Sequence, residues 1–373
     1  MSQSHRKLVG MILHPPNLAE IDRTINCLYG FIAPFYKKIS VKIKKNILKR
    51  MPPFTYFYVE DIESQLGGKV DFIAVMIPLL PEQIIVENKE TMFKKILAAI
   101  SQAEKKGARL ITLGAFTSIV TNQGLDLINR TQIALTSGNT YTAALCIKSI
   151  LKICDIARFD MSKSVLCIVG ATGDIGSICA KVLSKYVNHI VLCSRKISEK
   201  SSVVNEIKSY SNCNITITND TVEAIKKSDI IISAASSTKF LFSIDDLKPG
   251  SILCDISIPP IVSRNIMRDR SDVIAFEGGR AKFISYANIQ ETRWKTLFPY
   301  NSIYGCLAES LILAFEDRFE RFSSGRGAII ESKIDEIYDL GMKHGFFVAD
   351  FGCSGKIFTE EDFHRVKSLR GFN

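Results

Sequence analysis

The chain has 373 residues, 46% hydrophobic and 23% charged, which predicts two or three domains with sizeable cores and excludes a disordered or fibrous protein. Its ten cysteines show no CxxC pair and no Cys/His zinc-finger spacing, which excludes a structural zinc module and suits reduced thiols, mostly small core residues (Cys146, Cys154, Cys167, Cys179, Cys193, Cys254). The net charge is +10, and no apolar run, the longest being Phe72 to Leu80, reaches the ~18–20 residues of a membrane-spanning helix.

Residues 1–9 are polar and basic with no apolar signal region behind them, so the sequence predicts a cytoplasmic protein. Leu8 to Leu13 reads as a buried strand and Leu18 to Tyr29 as a helix. His14 ends the strand before Pro15 and Pro16, a place where site residues are common, although a lone histidine is more often structural. Lys37, Lys38, Lys42, Lys44, Lys45, Lys49 and Arg50 then follow with no acid among them. Ile39, Val41, Ile43, Ile47 and Leu48 interleave with them, and Phe31, Ile32, Phe35 and Tyr36 precede. Two readings stand: a solvated face, or a contact for an anionic membrane surface or an acidic carrier protein, which would make the protein peripherally membrane-associated in the first case. The apolar spacing fits one helical face poorly. No helix-turn-helix, zinc-finger or RNA-binding signature is present, so no nucleic-acid partner is expected.

Val70 to Pro78 reads as a strand stopped by proline, Thr91 to Lys106 as an amphipathic helix ended by Gly107, and Arg109 to Leu113 as a strand running into Gly114. Strand, helix and strand with short joints predict a parallel sheet covered by helices. Gly138 to Thr142 opens a long apolar helix through about Ala157. Ser164 to Val169 is an uncharged strand, then come a glycine turn at 170–176, a helix to about Tyr186, and strands at Asn188 to Ser194, Asp229 to Ala234 and Ser251 to Asp255. From about Trp294 the pattern is mainly helical, with Gly305 to Arg321 and Ser332 to Lys343 as helices. The fold class expected is α/β. It comprises an N-terminal α/β substrate-side region (1–145), a central Rossmann NADP-binding domain with a parallel sheet (146–288) and a C-terminal helical region (289–373).

Between strand and helix, Gly170, Thr172, Gly173, Asp174, Ile175 and Gly176 form a GxxGxxG turn. The first glycine permits the turn, the second lets backbone approach a pyrophosphate, the third lets helix and strand pack closely, and the helix N-terminus offers N–H groups to the phosphates. The next strand ends in Ser194, Arg195 and Lys196, with no acid to hold a ribose 2′-hydroxyl and two cations suited to a 2′-phosphate. NADPH is therefore the expected cofactor. Cys306 falls near a helix start, after Pro299 and Gly305, where the helix dipole predicts a lowered thiol pKa, although position alone fits a core cysteine. His344 lies at a helix end, where a cation is favoured structurally, and is also an acid/base candidate.

Five segments stand in one order: Leu113-Gly-Ala-Phe-Thr-Ser-Ile-Val120, Thr136-Ser-Gly-Asn-Thr-Tyr-Thr-Ala143, Gly170-Ala-Thr-Gly-Asp-Ile-Gly-Ser177, Cys306-Leu-Ala-Glu-Ser310 and Lys343-His-Gly-Phe346. In that order and spacing the sequence resembles the long-chain fatty acyl-[acyl-carrier-protein] reductases of the cyanobacterial alkane pathway, over roughly residues 8–350. The resemblance implies that Cys306 attacks the thioester of an acyl carrier protein or acyl-CoA, and that hydride from NADPH releases a fatty aldehyde. It also implies Mg2+, for which no metal-ligand cluster is visible in the sequence. Tyr141 departs from the family's histidine and would alter substrate geometry. The basic stretch and the tail from about Cys353 to Asn373 are not family features. Two rivals remain: an NADP-dependent dehydrogenase of a small polar acid on a shikimate-dehydrogenase-like plan, and a non-catalytic NADP sensor.

Overall fold

Short apolar strands alternating with amphipathic helices build two sheets in succession in the computed structural model, which describes residues 7–22, 36, 38–237, 239–257, 260, 270–298, 301–353 and 355–369. The first part carries β1 (Leu8–Leu13), α1 (Val41–Arg50), β2 (Phe54–Glu63), β3 (Lys69–Met76), α2 (Pro81–Val86), α3 (Lys89–Lys105), β4 (Ala108–Leu113), α4 (Phe116–Val120) and β5 (Ala134–Thr136). These strands form a sheet of order β2-β3-β1-β4-β5, parallel except for β2, which pairs antiparallel with β3 at the edge. The central β1 is buried at every residue, so it reads as an apolar run. β2 escaped the sequence reading because two register shifts, at Thr55/Phe57 and Val59/Ile62, break its alternation. α3 starts where Asn88 Oδ1 accepts the Glu90 and Thr91 N–H groups, and it buries Met92, Phe93, Ile96 and Ile100 on one face. The expected helix from Leu18 is helical through residue 22; its remainder, with Phe31, Ile32, Phe35 and Lys37, lies outside the described residues.

The second sheet comprises β6 (Val165–Val169), β7 (His189–Cys193), β8 (Asn214–Thr218), β9 (Ile230–Ser233), β10 (Ile252–Asp255) and β11 (Ile274–Glu277). Its order is β11-β10-β9-β6-β7-β8 and every pair is parallel. Helices α6 (Asp174–Leu183), α7 (Ser202–Tyr210) and α8 (Thr221–Lys226) connect its strands. The chain runs outward from β6 through β7 to β8, then returns to β9 and runs outward the other way, so the sheet has its topological switch between β6 and β9. The long helix α5 (Asn139–Ile156) joins the two sheets and contributes to the larger apolar core, and the 145/146 position falls inside it.

The C-terminal part is less helical than its sequence suggests. After β12 (Arg280–Phe283) and α9 (Thr292–Leu297), β13 (Ser302–Tyr304) leads into α10 (Gly305–Phe315), then α11 (Glu331–Lys343) and β14 (Phe346–Val348). β12 pairs antiparallel with β13 and β14, strands of three or four residues that are too short to show a readable alternation. A two-residue hairpin pair, β15 (Gly352–Cys353) and β16 (Lys356–Ile357), precedes α12 (Glu360–Ser368). α10 stops at Phe315 instead of Arg321. There Asp317 turns left-handed (φ 57°) and the Arg318 N–H donates back to the Leu313 carbonyl at 2.8 Å, a Schellman ending. α10 packs across β1, β3 and β4 of the first sheet as well as on α5. Among the described residues, no helix is long and apolar enough to cross a membrane.

His14 is a neutral strut, not a site group. Its Nε2 accepts the Phe116 N–H at 3.2 Å, and its Nδ1–H donates to the Pro15 carbonyl at 3.1 Å. Burial, the dominant cause, lowers its pKa to about 4. The unfolded chain then takes up a proton that the folded chain refuses. Stability is full above about pH 6.5 and falls by about 3 kcal/mol as pH drops towards 4. Urea titrations at pH 7 and near pH 4 should show that loss in the wild type and a smaller one in His14→Gln.

Candidate active site

The glycine turn has the geometry a dinucleotide requires. Gly170 sits at φ 87°, and a Cβ there would meet the Ala234 carbonyl at 2.8 Å, so side-chain-free backbone packs between β6 and β9. A Cβ on Gly176 would lie 2.3 Å from the Gly170 oxygen, so α6 can approach β6 only through a glycine. A Cβ on Gly173 would touch only the Gly170 oxygen, at 3.3 Å, which leaves the approach to the helix N-terminus clear. Thr172 and Ile175 lie on this turn, Thr172 exposed and Ile175 half-buried. Thr172 Oγ1 and Ser194 Oγ share a hydrogen bond at 2.7 Å, which ties the turn to the end of β7. Arg195 and Lys196 follow, both exposed. Asp174 opens α6, and burial raises its pKa, with the charge of Arg326, the Gly327 N–H and the Asn139 side chain acting against that rise.

Cys306 stands on the other half of the sheet's carboxyl edge. It is half-buried and lines a small pocket with Asp255 and Glu277, the last residues of β10 and β11, and with Ile256, Ser257, Gly278, Gly279, Arg280, Thr142, Tyr304 and Gly305. The glycine turn ends β6; the pocket ends β10 and β11, and β9 lies between them. Ser233, at the end of β9, donates to Asp255 Oδ1 at 2.9 Å and contacts Ser257 Oγ at 3.1 Å, so a polar chain runs from the switch point to the pocket. Arg280 is buried, 3.3 Å from Glu277, bonded to Ser302 Oγ at 2.9 Å and stacked over Tyr304.

The predicted low thiol pKa is not what the surroundings produce. Burial pushes the Cys306 thiol up to about 12; the backbone N–H groups of Leu307 and Cys306 and the charge of Arg280 oppose this, and Glu309 adds to it. The helix N-terminus acts in the anticipated direction, but desolvation is larger. Because only Cys213 and Cys306 are partly exposed among the cysteines described, the effect is measurable. Iodoacetamide labelling of Cys306, followed by peptide mass spectrometry, should rise about tenfold per pH unit from about pH 7 to 10, with no plateau near the ordinary 8.5.

Glu309, one turn beyond Cys306 on α10, is fully buried. Its carboxylate accepts from Thr136 Oγ1 at 2.6 Å, Ser323 Oγ at 2.8 Å and the Tyr141 N–H at 3.0 Å, so the starts of α5 and α10 are locked together. Sequence reading missed this glutamate and the Arg280–Glu277 pair. The usable signals were an acid repeated one turn after the cysteine and a Glu-Gly-Gly-Arg run closing a strand. His344 is withdrawn as an acid/base candidate. Its Nδ1 bonds Ser64 Oγ at 2.8 Å and its Nε2 bonds Glu316 Oε1 at 2.5 Å, beyond the opposite end of α10 from Cys306, about 15 Å of helix away. Tyr141 is also removed from the substrate: it is buried against α11, where a Cβ on Gly341 would meet its hydroxyl at 2.5 Å. Among the described residues no group of three or more His, Cys, Asp or Glu side chains is placed to hold a metal ion.

Residues 153–276 match the family described as Shikimate / quinate 5-dehydrogenase, a segment shorter than half the chain. The chain is 23% identical over 330 residues to aminotransferase PigE of Serratia sp., covering 88% of this chain but only 38% of that protein. It is 25% identical over 284 residues to the long-chain acyl-[acyl-carrier-protein] reductase of Synechococcus elongatus, covering 72% of this chain and 79% of that one. Among solved structures, shikimate 5-dehydrogenase from Listeria monocytogenes aligns over 90% of this chain and 97% of its own, at 15% identity and a TM-score of 0.35. L-tryptophan dehydrogenase from Nostoc punctiforme aligns over 97% and 87%, at 10% identity and 0.38. On its glycine turn, its parallel six-stranded sheet and the sequence matches, the chain is an NAD(P)-dependent oxidoreductase with a Rossmann domain like that of the shikimate/quinate dehydrogenases.

Proposed function

We propose that the protein reduces a long-chain acyl thioester, carried on acyl carrier protein or CoA, to a fatty aldehyde with NADPH and a Cys306 acyl-enzyme. The observation that carries this reading is the position of Cys306. A thiol lines the pocket at the carboxyl ends of β10 and β11, on the side of the switch point where the reacting end of a dinucleotide laid across the sheet from the glycine turn would arrive. The reductase of Synechococcus elongatus, 25% identical, adds support.

Cys306 Sγ bonds to the thioester carbonyl carbon and the donor's C–S bond breaks; the thiol proton leaves with the departing sulfur as free thiol. Exchange between thioesters is nearly isoenergetic, so the acyl-enzyme costs little free energy, and the attacking form is the Cys306 thiolate, whose proton ends on the departing sulfur. Bound along the turn, NADPH would supply the hydride. Arg280 places positive charge beside the pocket where the carbonyl oxygen becomes negative. Release of the aldehyde breaks the C–S bond, and Cys306 regains a proton. Arg195 and Lys196 would clasp the 2′-phosphate, so Arg195→Ala/Lys196→Ala should raise the KM for NADPH by about tenfold to a hundredfold and leave that for NADH unchanged.

The family match over 153–276 favours one alternative: oxidation or reduction of a small polar hydroxy acid without a covalent step. Intact-protein mass spectrometry separates the two. After mixing with a long-chain acyl-CoA or acyl-carrier thioester without NADPH, the wild type should gain the acyl mass and Cys306→Ala should not. Adding NADPH should discharge the adduct as aldehyde. Bound NADPH with no adduct on either protein would overturn the proposal for these donors.

A further inference from the structure

Helix α1 packs the wrong way round for an ordinary amphipathic helix. Its buried residues are Lys44 and Leu48, with Lys44 Nζ 3.1 Å from Asp22 and 4.1 Å over the Tyr36 ring. Its other aliphatic side chains face water instead: Val41 is 56% exposed, Ile43 52%, Ile47 42%, and Met51 at its end 37%. The neighbouring α2 adds Ile85 at 53% and Val86 at 82%. The two helices are fastened together. Lys45 pairs with Glu82 at 2.8 Å, Lys49 with Glu87 at 2.7 Å, and the Gln83 amide donates to the Lys45 carbonyl at 3.0 Å.

Those pairs neutralise the acids of this face. Lys38, Lys42 and Arg50 are exposed and have no acidic partner among the described residues. Aliphatic side chains amid uncompensated cations suit neither water nor a purely polar partner. Ile43, Ile47 and Arg50 follow the i, i+4, i+7 spacing of one helical stripe, which puts a cation beside the aliphatic ridge. An anionic bilayer surface satisfies both demands, accepting the aliphatic groups at its acyl boundary and the cations at its phosphates.

We infer that the face formed by α1 and α2 docks on anionic lipid surfaces through Ile43, Ile47, Val86, Lys42 and Arg50. This does not depend on the reaction proposed for Cys306. The test is co-sedimentation of the full chain with phosphatidylcholine vesicles, with and without about 30 mol% phosphatidylglycerol. Wild type should bind the anionic vesicles alone, and added salt should weaken it. K42E/R50E should bind at least about tenfold more weakly, and I43S/I47S likewise, with unchanged melting temperatures because every substituted side chain is exposed. Emission of I47W should shift to the blue on anionic vesicles. No binding to anionic vesicles, equal binding to neutral ones, or binding that either double variant leaves intact would overturn the inference. Concentration-dependent dimerisation that I43S/I47S abolishes would also overturn it, assigning the face to a second copy of the chain.

Discussion

Cys306→Ser should cut NADPH oxidation driven by a long-chain acyl thioester by about 10³-fold or more, with NADPH affinity unchanged. Serine keeps the size of the thiol, so the pocket between α10 and the ends of β10 and β11 should remain intact. What changes is the chemistry. A neutral hydroxyl attacks a thioester poorly, and an oxyester formed on it lacks the near-balanced return that a thioester offers. The glycine turn lies at the end of β6, two strands from β10, so nucleotide binding has no reason to follow. NADPH fluorescence titration and steady-state absorbance on the same preparations give both quantities. A dehydrogenase of a small polar acid uses no nucleophilic thiol and would keep most of its turnover in this variant. A protein that only senses NADP would bind NADPH and turn over no donor, in wild type and variant alike.

How much of this was legible in the sequence depends on where each signal resides. The turn from Gly170 to Gly176 is contiguous, flanked by an uncharged strand and a helix, and its glycines are demanded by backbone contacts within the same segment. β6, β7, β9 and β10 are buried over nearly all their residues and therefore read as apolar runs, whereas β8, half-exposed at the sheet edge, gave no such run. Cys306 was legible as a residue near a helix start, but its environment was not. The thiol's pKa is set mainly by burial, in a pocket whose lining comes, besides its own segment 304–306, from three stretches of chain around positions 142, 255 and 280. Likewise the antiparallel trio β12, β13 and β14 assembles from segments up to 68 residues apart, as the Lys282–Asp350 pair at its edge illustrates. Local periodicity carries no record of such pairings.

Gly138→Ala should damage the site without touching any reacting atom. Gly138 caps α5 at φ 68°, and a Cβ there would lie 2.1 Å from Cys306 Cα and 2.5 Å from both its Cβ and its carbonyl oxygen. The two helix starts meet backbone to backbone, and Glu309 ties them together a turn further in. Alanine therefore incurs two costs. The left-handed backbone alone costs about 1–2 kcal/mol. The overlap must in addition push α10 aside, and main chain yields less easily than a flexible side chain. Gly67→Ala separates the two, because Gly67 has φ 83° with nothing within 4 Å of the added carbon. Gly138→Ala should lose more stability in urea than Gly67→Ala by a further ~1–3 kcal/mol. A displacement of about 1 Å at Cys306 should lower kcat/KM for an acyl thioester by about 10²-fold. NADPH binding should survive, since the glycine turn is built on α6 and β6. Equal losses in the two glycine variants would mean that the close approach of α5 and α10 is slack, and that Cys306 is placed by the pocket walls of β10 and β11 instead.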